Sequence, residues 1–314
     1  MSVESTARAH QRSINNITSA AVVEADKAWR MVDVDNLDQS WGVVAPRAVA
    51  LVGAAQAAVA GQSDAYLSGL AREYGVKDSP LGKINPNGFR DYTGSGTNLN
   101  RYLTGSVIAV KQLIGNGWAP AEAYQSGRKR FAQSVITTVG DQARQSTSAA
   151  MGVRASGLQQ GWIGGYVRQV SAKACARCLI LAGKRYATAE PFERHPGCLC
   201  THIPAAENVD DDPTTDVKAA FESMTEAEQN ARFGKANAEA IRQGADINQV
   251  VNATRSGSVY AAEGARYTRA GTTRRGSYGR TSKEARMTPE TIMRTARKDP
   301  EEVVRLLRQY KYIL

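Results

Sequence analysis

The sequence predicts a mainly α-helical protein, with an extended amino-terminal helical bundle, a small cysteine-rich α+β module and a helical carboxy-terminal part carrying a basic arm. Three observations lead there. Apolar residues make up 42% of the 314-residue chain but aromatics only 7%, so Ala, Val and Leu supply most of the burial, which suits packed helices better than a β-sandwich. Long stretches repeat their apolar residues at three- and four-residue spacing, the mark of one buried helix face. All four cysteines fall between positions 175 and 200, setting a short module apart from the rest.

Residues 1–160 read as the bundle or stalk. Ile14, Ile17, Ala21, Ala25, Ala28 and Val32 form one apolar stripe, and Trp41-Gly-Val-Val-Ala-Pro46 marks a break, because proline suits only a helix's first turn. Val52, Ala55, Val59, Tyr66 and Leu70 continue the stripe to about Tyr74, where Gly75 is the stop. Residues 76–97, rich in Gly, Pro, Asn and Ser, are too long and aperiodic for a turn and read as a surface excursion or partner contact. Helix returns with Leu103, Val107, Val110 and Ile114 and stops at Gly115-Asn116-Gly117. A further helix opens near Pro120 with Phe131, Val135 and Val139 buried, and another, Ala-rich, runs from Asp141 to about Gln160.

The module at 161–206 opens with Trp162-Ile-Gly-Gly-Tyr-Val-Arg-Gln-Val170, aromatic and β-branched as a strand requires. Residues 207–253 begin as an acidic linker (Glu207 to Pro213), read as solvated rather than as a metal site. Thr225-x-x-Glu228 then has the capping-box spacing of a helix running to Gln243, followed by Gly244 and a short helix with Ile247, Val250 and Val251. Residues 254–286 hold eight Arg or Lys against two Glu, a composition that predicts a flexible basic arm. Residues 287–314 close the chain as a helical hairpin, because Thr288-Pro289-Glu290 and Asp299-Pro300-Glu301 each place N-cap, proline and acid in order.

Charge and cysteine usage bound the function. Forty Lys and Arg against thirty Asp and Glu give a net charge of +10, which favours a polyanionic partner such as nucleic acid. The polar start has no signal-peptide character, and the apolar run at 48–60 is too short to cross a membrane. Neither a membrane nor a small-molecule substrate is expected as a partner. Clustered rather than dispersed cysteines point to a local metal site in a protein folded in a cytoplasm.

Cys175-x-x-Cys178 and His195-x-x-Cys198 each have the two-residue gap with which a tight turn presents two ligands to a tetrahedral ion. Thiolate and imidazole donors favour zinc, in a structural role, over magnesium or calcium. Cys175, Cys178, His195 and Cys198 are the first choice of ligands, with Cys200 the ready substitute and His202 a weaker one. Packed thiols and a disulfide are the alternatives. Cys200 with His202 is the one pair resembling a nucleophile and base, yet residues two apart on a strand need not meet, and no orienting group is evident. No Gly-rich phosphate loop or His-Glu-x-x-His motif is present, so no catalytic residue is assigned. In the basic arm, Arg255, Arg266, Arg269, Arg274, Arg275, Arg280, Lys283 and Arg286 are candidates for neutralising phosphates of double-stranded DNA without sequence preference, with Tyr260, Tyr267 and Tyr278 interleaved. A solvated basic linker is the alternative.

The order Cys175-x-x-Cys178, Leu181-Ala-Gly183, Lys184-Arg185-Tyr186, Phe192-x-x-His195-Pro196-x-Cys198-x-Cys200 and Pro204 resembles the signature of Mu F-like minor head proteins, the head morphogenesis proteins of tailed phages. The Ala-rich amino-terminal helices, the segment Phe233 to Asn252 and the closing Thr288-Pro-Glu with Leu306-Leu307 are similar to versions from actinobacterial phages. The resemblance implies a minor capsid protein in the virion head interior, made in the host cytoplasm. It implies the portal protein, the major capsid or scaffold protein and packaged DNA as partners. A capsid maturation protease is the rival that related gene labels suggest, and a zinc-ribbon nucleic-acid-binding protein is the third reading.

Overall fold

The computed structural model describes residues 2–155, 162–170, 174–188, 190, 195, 198–206, 216–276, 278–297 and 299–313. The described residues are mainly helical, with two small three-stranded sheets. Two compact units are present, Met1–Ser171 with Gly183–Thr214, and Ala172–Ala182 with Thr215–Leu314.

The first unit begins with helices α1 (Val3–Trp29), α2 (Leu37–Ala60), α3 (Ser63–Glu73), α4 (Leu99–Gly115) and α5 (Pro120–Ala155). One apolar core joins the expected stripes of α1, α2, α4 and α5. At its centre Trp29 lies tilted against Phe131 at 5.0 Å, and Trp41 meets Phe131 edge-on at 5.8 Å.

The helix boundaries differ from expectation at two places. Pro46 lies inside α2 rather than ending a helix. Its solvent-facing position leaves water to satisfy the carbonyl that proline's missing N–H abandons, while Trp41, Val44, Ala45 and Ala48 are buried on the other side. The two helices expected over 119–160 are one, α5, because Ala143 prolongs the buried stripe of Val135 and Val139 past Gly140. By length and composition alone the longer stretch Leu37–Glu73 is apolar enough to cross a membrane, but half of its most apolar window is buried within the fold, as in a core helix. Residues 76–97, expected as a surface excursion or partner contact, are tied to the bundle. Gln56 accepts from the Asp91 N–H at 3.0 Å and donates to the Tyr92 carbonyl at 2.9 Å, while Gln142 donates to the same carbonyl at 2.8 Å.

Beside the bundle lies a sheet of order β2-β1-β3, formed by β1 (Ile163–Gln169), β2 (Arg185–Tyr186) and β3 (Thr201–Ala206), all antiparallel. Three side chains of α1 and α3 hold β3 and its approach. The Tyr66 hydroxyl donates to the His202 carbonyl at 2.7 Å, Tyr74 to the Pro204 carbonyl at 3.0 Å, and Gln11 to the Leu199 carbonyl at 2.6 Å. A buried ion cluster also ties α3 to α5, with Arg154 paired to Asp64 at 2.8 Å and to Asp78 at 3.0 Å.

The second unit contains the short helix α6 (Ala176–Leu179), then α7 (Val217–Glu222), α8 (Glu226–Phe233), α9 (Lys235–Arg242) and α10 (Ile247–Ala253). The capping box at Thr225 and Glu228 is present. The single helix expected to Gln243 is broken at Gly234, whose φ of 83° interrupts the helical path. Helices α11 (Pro289–Thr295) and α12 (Pro300–Gln309) start at the expected N-caps, Thr288 and Asp299. The acidic segment 207–213 lies outside the described residues.

The arm at 254–286 is largely folded. Strands β4 (Val259–Ala262), β5 (Ala265–Thr268) and β6 (Arg286–Met287) make an antiparallel sheet, with a tight Glu263-Gly264 turn between the first two. Cross-strand stacking of Tyr260 on Tyr267 at 5.8 Å and the burial of Thr268 and Arg286 supply cohesion that composition alone does not reveal.

Candidate metal centre

Chain geometry presents the cysteines in two pairs. Cys175 caps α6, with its carbonyl accepting from the Leu179 N–H at 3.0 Å, and Cys178 lies on that single turn with 1% exposure. The turn closes through Gly183, whose φ of 70° suits the glycine of the Leu-Ala-Gly sequence. The Gly183 N–H donates to the Arg168 carbonyl at 3.0 Å and so starts β2 alongside β1. Cys198 and Cys200 stand just before β3, and each is 3% exposed. The Cys198 N–H donates to the His195 carbonyl at 3.2 Å.

All four cysteines are thiols rather than disulfides. Cys175, Cys178, Cys198 and Cys200 form a cluster that could hold a metal ion. In one grouping the donor atoms of Cys178, Cys198 and Cys200 all lie within 4.8 Å of one another, and in a second those of Cys175, Cys178 and His195 do so. Every ligand chosen from the sequence therefore belongs to a grouping, and Cys200 enters beside Cys198 rather than only replacing it. The groupings differ in exposure, since Cys178, Cys198 and Cys200 are buried while His195 is exposed. His202, the weaker substitute, is in neither group. It is buried on β3 with its ring edge-on to Tyr166 at 4.2 Å.

One residue beside the thiols was not legible from spacing. Arg168, on β1, is 2% exposed and donates from Nη2 to Cys198 Sγ at 3.5 Å. Arg144, on α5, is half-buried. Burial lowers its pKa, against the opposing pull of Tyr166 and Cys198.

The candidate nucleic-acid set divides. Arg255, Arg266, Arg269, Arg274, Arg275, Arg280 and Lys283 are exposed. Arg266 pairs with Glu290 at 2.6 Å, and Arg269 lies 5.3 Å over the Tyr260 ring. Arg286 is the exception. It is fully buried over the Tyr312 ring at 4.1 Å and donates to the carbonyls of Tyr310, Ala270 and Lys311 at 2.9, 2.8 and 3.0 Å. A guanidinium spent on three carbonyls is a structural tie, so Arg286 leaves the phosphate-contact set. No protein family, no curated protein and no solved structure was found to match this chain.

Proposed function

We propose that the chain is a structural minor head protein of a tailed phage, stapled by one zinc ion and placed in the head interior near the portal. The observation that carries this reading is that the cysteines of the motif resembling the Mu F-like signature are the residues that cluster with metal-binding spacing. Four soft donors, three of them buried, suit zinc in a closed structural site, which would add folding free energy to a sheet with a small apolar core. The donor set fits the ion on chemical grounds, since thiolates select zinc over hard cations.

The second element of the proposal is contact with packaged double-stranded DNA. Arg274, Arg275, Arg280 and Lys283 are exposed on the connection between β5 and β6, and the chain carries a net charge of +10. Such contacts neutralise phosphates without reading bases, so binding would weaken steeply with salt.

Element analysis and intact mass of the purified protein, with a portal pull-down from procapsids, test both parts. One zinc per chain together with portal association supports a metal-stapled head protein. Cleavage of capsid or scaffold protein on mixing, abolished by a single substitution that leaves incorporation intact, would replace it with a maturation protease. Salt-sensitive DNA binding with no portal association would replace it with a zinc-containing nucleic-acid-binding protein.

A further inference from the structure

We propose that the connection between β5 and β6 is a pre-ordered loop whose fixed shape, and not its charge alone, presents Arg274, Arg275, Arg280 and Lys283 to the phosphates of duplex DNA. This inference rests on the DNA contact proposed above and adds what holds the contact surface in place.

The base of the loop is organised by Arg286, which is fully buried. Its Nη1 donates to the Ala270 carbonyl at 2.8 Å and so closes the two ends of the loop on each other. Nε and Nη2 donate to the carbonyls of Tyr310 and Lys311 at 2.9 and 3.0 Å, and Nη2 also reaches Gln249 Oε1 on α10 at 3.2 Å. Tyr278, 2% exposed, lies against the same guanidinium at 5.6 Å. Above this base the backbone folds onto itself. The Gly279 N–H donates to the Gly271 carbonyl at 2.9 Å, and the Gly276 N–H to the Thr273 carbonyl at 2.8 Å. A Cβ at Gly276 would collide with the Gly271 carbonyl, and one at Gly279 with the carbonyls of Thr272 and Thr273, so only glycine fits at either place.

Exposed on this scaffold are Arg274, Arg275, Arg280 and Lys283, against one acid, Glu284. None of the four cations has a side-chain hydrogen bond or ion pair among the described residues. A loop ordered before contact gives up less entropy on binding. The tyrosines select duplex over single strand. Base stacking needs a free aromatic face, but Tyr278 is buried, and Tyr260 is stacked on Tyr267 with Arg269 over its ring at 5.3 Å. Phosphates remain as the target, and duplex DNA presents them at the higher linear density.

The test uses the full chain with a mixed-sequence duplex. Binding is read by fluorescence anisotropy over a salt series, and loop order by hydrogen exchange of the free protein. In the wild type the amides of Gly276, Gly279 and Arg280 should be protected. Gly279→Ala removes no charge, yet it should speed their exchange and weaken duplex binding about tenfold. Amides of α10 and α12 that stay protected show that the unit is still folded, and Gly276→Ala repeats the perturbation at a second position. Arg274→Gln with Arg275→Gln should lower the salt slope by about one per residue. Faster loop exchange with wild-type affinity in the glycine variants would overturn the inference and leave the DNA contact to charge alone. Loop amides that are unprotected in the wild type, or unmoved by both glycine substitutions, would overturn it as well. A single strand of equal length that binds as tightly as the duplex would overturn the choice of partner. A wild-type chain that binds no duplex would remove the DNA reading itself, and this inference with it.

Discussion

The bundle and the cysteine-bearing sheet belong to one unit but are held together by different physics. Between α1, α2, α4 and α5 the interior is mostly hydrocarbon, with Ile14, Ala28, Trp29, Val52, Leu103, Phe131 and Val135 each at most 1% exposed and Gln56 and Gln142 among the few buried polar groups. Around β1 and β3 the interior is polar. Arg168, Cys198, Cys200, Thr201 and His202 are each at most 3% exposed, beside a short apolar set led by Tyr166, Val167 and Ile203. Hydrocarbon interiors gain stability from area removed from water and need no particular partner. Polar interiors gain it only when each group finds the right one, and they lose heavily when one is missing. On the reading proposed above, the bundle is self-sufficient and the sheet is expected to depend on its ion.

Removing metal should separate the two regions most sharply. Structural zinc in small domains supplies on the order of 10 kcal/mol of apparent folding free energy, so chelation should unprotect the amides of β1, β2 and β3 in hydrogen exchange. Those of α2, α4 and α5 should stay protected. Cys178→Ser should give the same pattern without chelator. Equal protection with and without metal would mean that the sheet stands alone and that the thiols are packing. The complementary perturbation is Trp29→Ala, which empties the junction of α1, α2 and α5. Truncating a buried tryptophan costs about 3–5 kcal/mol, and here the loss should be the same with and without zinc in denaturant melts. A zinc-dependent loss would show that the two interiors are one.

The contrast also explains what the sequence made legible. Helix faces in the bundle were readable because periodic apolar residues report burial directly, as Val52, Ala55 and Val59 do on α2. Local grammar was readable too, since Thr225, Thr288 and Asp299 cap helices where their side chains predict. Boundaries failed where a tertiary core overrode a local signal. Gly140 costs a helix interior about 1 kcal/mol, yet Val135, Val139 and Ala143 are buried on either side of it and carry α5 through. The clustering of the cysteines was legible because tight turns impose short spacings. Arg168 was not, because its hydrogen bond to Cys198 is a long-range consequence of the fold. The 254–286 segment was misread for a related reason: its cohesion lies in cross-strand tyrosines and in one arginine buried against carbonyls, and an arginine in a sequence looks the same buried or solvated.

His10 tests the boundary between the two regions through pH. Its ring stacks on Tyr66 at 3.9 Å, and burial lowers its pKa from 6.5 to about 4. The folded state thus holds the neutral ring, and the unfolded chain binds a proton at higher pH than the folded one. Stability from this site is full above pH 6.5 and is lost as pH falls towards about 4; a shift of that size corresponds to about 3 kcal/mol. Denaturant unfolding of the chelated protein across this range should show the slope, and His10→Phe should flatten it. An unchanged slope in that variant would assign the acid sensitivity to other groups.

The smallest expected effect addresses the join directly. Gln11 on α1 donates to the Leu199 carbonyl at 2.6 Å and accepts from the Thr201 hydroxyl at 2.9 Å. One amide from the apolar region thereby fixes the backbone that spaces Cys198 from Cys200. Gln11→Met keeps the length and the packing but leaves the carbonyl and the buried hydroxyl without that partner, a loss of about 1–3 kcal/mol. If the amide only glues α1 to β3, the loss should appear in denaturant melts and leave zinc affinity alone. If it also presets the two thiols, zinc affinity should fall along with stability, because a ligand pair that must be ordered on binding subtracts that ordering cost from the binding free energy. A variant that matches wild type in both measurements would show that β3 is positioned without α1, and the polar interior would then be as self-contained as the apolar one.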